Sequence, residues 1–274
     1  MSGVILTPCD PDGPPVDMTG VLPERLAEGG REALAGLMLV RGRARHRLDA
    51  LFTLQDGGPS GSLILRPGGA VLDGVGAGMT AGEILVEGDC GAHAGSGMRG
   101  GTLIVEGRCG AFAAAEMAGG RLRIAGDAGD FLGAPLAGGT RGMSGGSVVV
   151  GGNAGDRAGE RMRRGLIAVQ GRVGSLCGAR MIAGTIVVGA ACGPALGQAM
   201  RRGSILLSQA PEGVPSGFAD GGMNDWLFLE LMRKELMDEG AWPAGFPGTG
   251  ARARRLVGDR SVEGIGEVFI LSNA

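Results

Sequence analysis

Seven methionines, Met79, Met98, Met117, Met143, Met162, Met181 and Met200, divide the middle of this 274-residue chain into near-equal steps. Successive gaps are 19, 19, 26, 19, 19 and 19 residues, so one step carries a seven-residue insertion. Around each methionine the pattern M-x-x-G-x-[ILV]-x-[ILV] returns. A repeat of fixed period restricts the chain to folds in which one unit stacks on the next, because a single unit cannot bury its own apolar face.

The columns of the repeat specify the unit. Three residues after each methionine stands a glycine: Gly82, Gly101, Gly120, Gly146, Gly165, Gly184 and Gly203. Five after stand Ile84, Leu103, Leu122, Val148, Ile167, Ile186 and Ile205, and seven after stand Val86, Val105, Ile124, Val150, Val169, Val188 and Leu207. Aliphatics two apart, separated by polar or variable positions, are the period of a strand with one buried face. A second glycine column, twelve after the methionine, punctuates a turn. The regular glycines predict a corner with positive φ in every coil. Repeated in one direction, such units give an all-β fold, a right-handed parallel β-helix of about 19-residue coils with small α/β caps at both ends. A hexapeptide β-helix needs apolar residues every six positions, which 19 fits badly.

The expected boundaries are an N-terminal arm and cap over 1–60, the repeats over 61–209, and a C-terminal linker, helix and strand over 210–274. Residues 1–20 read as an extended arm. Residues 23–37 read as one or two short helices broken at Gly29 and Gly30, 37–40 as a buried strand, 41–47 as a basic loop and 48–55 as another strand. The 135–146 stretch reads as one coil with a glycine-rich surface bulge. Beyond a linker at 210–222, residues 223–240 form the best helix, capped by Asn224 or Asp225 and ended by Gly240. Its apolar stripe is Phe228, Leu229, Met232 and Leu236. Trp226, Leu227 and Leu231 fall outside the stripe and are candidate partner contacts. A loop over 241–251 leads to a terminal strand over 266–271, and helix and strand together are expected to cover the open end of the stack.

Composition narrows the class. A formal charge of −2 gives no reason to expect nucleic acid, and 58 glycines without a G-X-Y period exclude collagen. Aromatics make up 3% of residues, with no tyrosine, which suits a thin stacked core. Five cysteines without a CxxC spacing, no leader-like segment and no long apolar run point to a reduced, cytoplasmic protein off the membrane.

The search for chemistry is negative. His46 sits in the basic stretch and His93 in a variable repeat position, neither beside a metal or triad pattern. Cys90, Cys109 and Cys192 share a column that elsewhere holds alanine or valine, so they read as small core residues. GGTRG (138–142) and GVGAG (74–78) lack the lysine, helix or strand that phosphate-binding loops require. Asp89, Asp127 and Asp130 read as turn residues bonded to local backbone. The methionines read as core filler. No catalytic, cofactor-binding or metal-binding residue is expected.

Two tandem units, GAGMTAGEILVEGDCGAHAGSGM (76–98) and GTRGMSGGSVVVGGNAGDRAGERM (139–162), resemble the repeats of the C subunit of formylmethanofuran dehydrogenase. A similar repeat domain ends the large subunit of glutamate synthase. The resemblance extends to VRGRARHRLDALFTLQDG (40–57) and LVGDRSVEGIGEVFIL (256–271), so it covers most of the chain. It implies a scaffold subunit whose complex holds its active sites elsewhere. In the bacterial formyltransferase/hydrolase complex, a formyl group passes from tetrahydromethanopterin to a methanofuran analogue and is hydrolysed to formate. The partners so implied are formyltransferase and amidohydrolase-like subunits, with no cofactor on this chain. The lysine-poor, arginine- and alanine-rich composition favours that complex over the molybdenum or tungsten dehydrogenase, and a glutamate-synthase-like coupling domain is the third reading.

Overall fold

A computed structural model describes residues 2–248 and 252–272. Residue 1 of the expected arm and residues 249–251 of the expected loop lie outside them. The N-terminal section holds β1 (Val4–Pro8), β2 (Val16–Asp17), α1 (Pro23–Ala35), β3 (Met38–Arg41), β4 (Ala44–Arg47), the single turn α2 (Leu48–Leu51) and β5 (Phe52–Asp56). The repeat begins with β6 (Ser62–Leu65) and β7 (Leu72–Asp73). It continues with one strand per unit: β8 (Glu83–Val86), β9 (Arg99–Val105), β10 (Ala118–Ile124), β11 (Gly145–Val150), β12 (Leu166–Val169), β13 (Thr185–Val188) and β14 (Ser204–Leu207). After it come β15 (Ala219–Asp225), α3 (Leu227–Asp238), β16 (Arg252–Gly258), a short 3-10 turn and β17 (Gly266–Leu271).

Among the described residues, one open sheet of 13 strands runs β15-β16-β17-β14-β13-β12-β11-β10-β9-β8-β6-β1-β5, and a second sheet runs β4-β3-β2-β7. The protein is therefore mostly β, with few helices and no closed barrel. The repeat strands are parallel and paired at the sequence period: Ile84 with Leu103, Leu103 with Leu122, Ile167 with Ile186, Ile186 with Ile205. Leu122 pairs with Val148, so the longer step is absorbed outside the strand. A second ladder runs Cys90, Cys109, Ala128, Ala154, Val173, Cys192. A third is hydrogen-bonded, as in Gly95 N–H to Val75 O at 2.8 Å and Gly178 N–H to Ala158 O at 2.8 Å. The methionine corner adds a fourth, from Arg99 N–H to Met79 O through Arg201 N–H to Met181 O.

Both aliphatic columns and the methionine column point inward, and every side chain in them is at most 2% exposed. Each aliphatic contributes on the order of 1.5–3 kcal/mol on burial. Another inward column, Ala94, Ala113, Leu132, Ala158, Cys177 and Leu196, completes the core. Methionine and glycine columns interlock. A Cβ built at Gly165, where φ is +105°, would lie 2.8 Å from Gly146 O and 2.9 Å from Met143 Cε. The same approach of the preceding coil's methionine recurs at Gly101, Gly120, Gly146, Gly184 and Gly203. The glycine column twelve after the methionine differs, because its φ values are not positive. Gly110 is required for space: a Cβ there would meet Gly91 C at 2.8 Å.

Several flanking expectations are corrected. Residues 2–20 are no arm, since β1 pairs antiparallel with β5 and parallel with β6 and buries Val4 and Leu6. The basic 41–47 stretch includes strand β4, paired with β3 from Met38↔Arg47 to Arg41↔Ala44, with Gly42 at φ +62° in the turn. This edge hairpin leaves Arg43, Arg45 and Arg47 in water while Arg41 pairs with Asp10 at 2.8 Å, and of the expected buried strand only Leu39 is buried, Met38 being 55% exposed. The first half of 48–55 is the helical turn α2. The break expected in α1 lies at Gly29 and Gly30, whose φ values are −148° and +65°.

At the other end, β15 occupies residues expected to be linker and helix start. Asn224 and Asp225 lie in that strand, and α3 begins after Trp226 without a side-chain cap. Gly240 follows the helix end with φ +66°. The helix does not cover the end of the stack. It lies on the outer face of the sheet, where Leu229 and Leu236 join Ala168, Val187 and Leu206 in a separate buried cluster. The stack ends instead on β17, which pairs parallel with β14, and on β16 and β15 beyond it. No described helix is long and apolar enough to cross a membrane.

Candidate interaction surface

The most distinctive surface surrounds α3. Strands β12, β13 and β14 are apolar at successive positions (LIAV, TIVV, SILL), so their outer as well as inner faces require cover. The helix supplies it with Leu229 and Leu236. Its ends are fastened by polar contacts. Glu239 pairs with Arg121 at 3.0 Å, and its backbone carbonyl accepts from Arg123 at 2.8 Å. Trp226 Nε1 donates to Ala253 O at 3.1 Å, and its ring packs edge-on against Phe228 and Phe269 beneath the Arg255 guanidinium. Trp226 thus belongs largely to internal packing. Leu227 and Leu231 face away, 80% and 70% exposed, with Met237 also exposed. Between helix and sheet runs an open groove of about 690 Å³, with Thr102, Ser147 and Thr185 on its floor and Met232 and Glu235 on its wall.

The titratable groups with shifted pKa values serve the backbone. Burial opposes ionisation of Glu24, but Thr80 and Ala81 N–H groups and the Thr80 hydroxyl donate to it and hold its pKa below the ordinary value, tying α1 to the first coil. Asp259 is likewise opposed by burial and held low by N–H donors of Ser261 and Ala199 at 2.9 Å. A hydrogen bond to Cys90, then burial, pushes the Cys109 thiol upward, and Cys177 behaves in the same way beside Cys192. Such thiols are poor nucleophiles.

The residues considered from sequence are dispersed. His46 is exposed on β4, while His93 stacks on Phe112 at 5.2 Å, and Phe112 on Phe131 at 4.7 Å, with Arg157 above Phe131. The aspartates do not bond local backbone, as expected, but reach the next coil: Asp89 to Arg108 N–H, Asp127 to Asn153 N–H and Asp130 to Asp156 N–H. They brace the stacking register. Their column spacing was the available signal. Among the described residues, no group of three or more His, Cys, Asp or Glu side chains could hold a metal ion. The α3 groove itself gathers Arg121, Glu235 and Glu239 beside Thr102, Ser147 and Thr185, with the Ser147 hydroxyl donating to Glu239 Oε2 at 3.5 Å.

A stack of repeats extended by terminal strands defines a β repeat protein, here with part of a helix's apolar surface left exposed. No family model matches the chain, and no curated protein matches it. Among solved structures it is similar to a chain in the X-ray structure of the formyltransferase/hydrolase complex (FhcABCD) from Methylorubrum extorquens in complex with methylofuran. The two are 34% identical, the match covers 98% of this chain and 100% of that one, and the TM-score is 0.86. The chain belongs to the family of that subunit.

Proposed function

We propose that this protein is the C subunit, a non-catalytic scaffold, of a formyltransferase/hydrolase complex of one-carbon metabolism. The full-length likeness to a chain of such a complex carries this reading. Its path is that of a right-handed parallel β-helix of about 19-residue coils over 61–209, with caps over 1–60 and 210–274. The inward positions of every coil are occupied by core side chains, which leaves the outer faces for partners. Those partners are the formyltransferase and amidohydrolase-like subunits. They move a formyl group from tetrahydromethanopterin to a methanofuran analogue and then release formate, in the cytoplasm, while this chain holds them together. Leu227 and Leu231 on α3 are contacts for one of them.

Mass spectrometry of the native complex captured on this chain tests the reading. Three further subunits are expected, with formate release only by the assembled complex. Activity of the isolated chain would refute the scaffold role, and molybdenum or tungsten in the complex would instead indicate the dehydrogenase.

A further inference from the structure

The arginines are unevenly distributed over the stack. The two positions after the ladder methionine are Arg163–Arg164 and Arg201–Arg202 in two of the later coils, with Ile182–Ala183 between them, against Thr80–Ala81, Arg99–Gly100, Ala118–Gly119 and Ser144–Gly145 earlier. All four arginines of the later coils are exposed. The backbone fixes their spacing. Arg163 N–H bonds Met143 O and Arg201 N–H bonds Met181 O, with the coil beginning at Ile182 between them. Two coil rises therefore separate the pairs, about 10 Å. The insertion adds exposed Arg141, whose neighbour Gly142 donates to Arg161 O.

Little on the chain neutralises this corner. The nearby carboxylate of Glu160 is buried and already shared by Arg157 at 3.1 Å, Arg180 at 3.1 Å and Arg161 at 3.8 Å. Among the described residues, none of Arg141, Arg163, Arg164, Arg201 and Arg202 has a carboxylate within 4 Å, although the whole chain carries a formal charge of −2. The adjoining terminal segment carries three acidic residues: Asp259, whose carboxylate accepts from the Ala199 and Ser261 N–H groups, Glu267, which pairs with Arg255, and Glu263, which is exposed and among the described residues makes no ion pair. Clustered like charges create a local positive potential that favours an acidic counterpart. An apolar side chain stands among them: Ile265 is 65% exposed, and its N–H bonds Arg201 O. Arginine around an exposed aliphatic matches the composition of protein interfaces, whereas nucleic-acid contacts are more uniformly polar.

From this juxtaposition we propose that the methionine corner of the later coils docks an acidic face of another protein subunit of the same complex. The inference rests on the scaffold reading and assigns it a second contact, apart from α3. Arginine in place of lysine suits it, because guanidinium groups pair carboxylates bidentately and are less costly to desolvate.

The test uses the full chain co-expressed with its partners. Arg163→Glu, Arg164→Glu, Arg201→Glu and Arg202→Glu are combined, with Arg43→Glu and Arg45→Glu on the exposed β3–β4 hairpin as control. Partner retention on the tagged chain is measured by titration at low and high salt, alongside thermal melting and the ultraviolet signature of nucleic acid. The four-fold variant should melt as wild type yet bind one partner at least about tenfold more weakly, and wild-type binding should weaken with salt. The corresponding Arg→Gln set, which removes charge without repulsion, should shift binding in the same direction by less, and it decides the matter if the Glu set fails to fold. Equal retention by wild type and variants at all salt concentrations overturns the proposal and leaves the scaffold reading standing. So does nucleic acid that copurifies with wild type and is lost from the variants. If wild type retains no partner, the scaffold reading fails and this inference falls with it.

Discussion

Gly165 illustrates how tightly single residues are constrained here. Its φ of +105° disfavours any side chain, and the space a Cβ would need is taken by Gly146 O and Met143 Cε. Gly165→Val should therefore destabilise by roughly 2–5 kcal/mol, read as a melting temperature lower by on the order of 5–15 °C. An unchanged melting temperature would contradict the interlock of methionine and glycine. Asp259 gives a pH dependence. Its folded pKa lies below the ordinary 3.8, so folding favours the ionised form. The stability it contributes is complete above pH ~4 and drains away as the pH falls through the depressed value. Asp259→Asn turns one carboxylate acceptor into a donor facing Ala199 or Ser261 N–H, at a cost of about 1–3 kcal/mol near neutral pH. The gap in melting temperature between the two proteins should narrow on acidification from pH 6 to pH 3; a constant gap would remove the carboxylate's charge from the account.

Among the elements, α3 divides its apolar residues between two tasks. Leu229 and Leu236 close the outer face of the sheet, while Leu227 and Leu231 touch nothing that buries them. Replacing both exposed leucines by serine should alter stability by no more than about 0.5 kcal/mol, yet reduce partner recovery in a pull-down. Loss of thermal stability with recovery intact would mean that the leucines support the fold instead. The apolar stripe of this helix was legible in the sequence, but its docking place was not. The available hint lay in the strands: an apolar Ala168, Val187 and Leu206 between inward residues means burial on both faces. The edge hairpin of β3 and β4 was obscured for the opposite reason, since its basic side chains carry no period and its pairing depends on a partner strand.

At the scale of the molecule, the repeat makes the stack additive, each coil contacting chiefly its neighbours. Deleting residues 99–117 joins Met98 to Ala118 and removes one coil without touching the contacts of Glu24 with the first coil or of Glu239 with Arg121 and Arg123. That variant should fold cooperatively with the long sheet narrower by one strand, about 4.8 Å, measurable by small-angle scattering. A deletion of 99–107 shifts every later column against the earlier ones and should yield an unfolded or aggregated chain. Equal behaviour of the two deletions would refute a register set by the repeat.

Periodicity alone established the strands, their parallel order, their pairing offset and the inward identity of the methionine and aliphatic columns. Those properties follow from local alternation and identical units, which admit one stacking register. The ends and the surface were settled only when distant segments met. Strand β1 pairs with β6 across more than 50 residues, α3 lies on coils far upstream, and Asp89, Asp127 and Asp130 bond the coil ahead of them. The contacts of β1 and α3 depend on complementary surfaces that form after the coils have stacked, and no period in the sequence records them, whereas the aspartate bonds follow the repeat spacing. The basic corner is intermediate: the repeat places Arg163, Arg164, Arg201 and Arg202 in one column after the ladder methionines, but only the structure shows that they are exposed and that Ile265 of the terminal segment lies beside them.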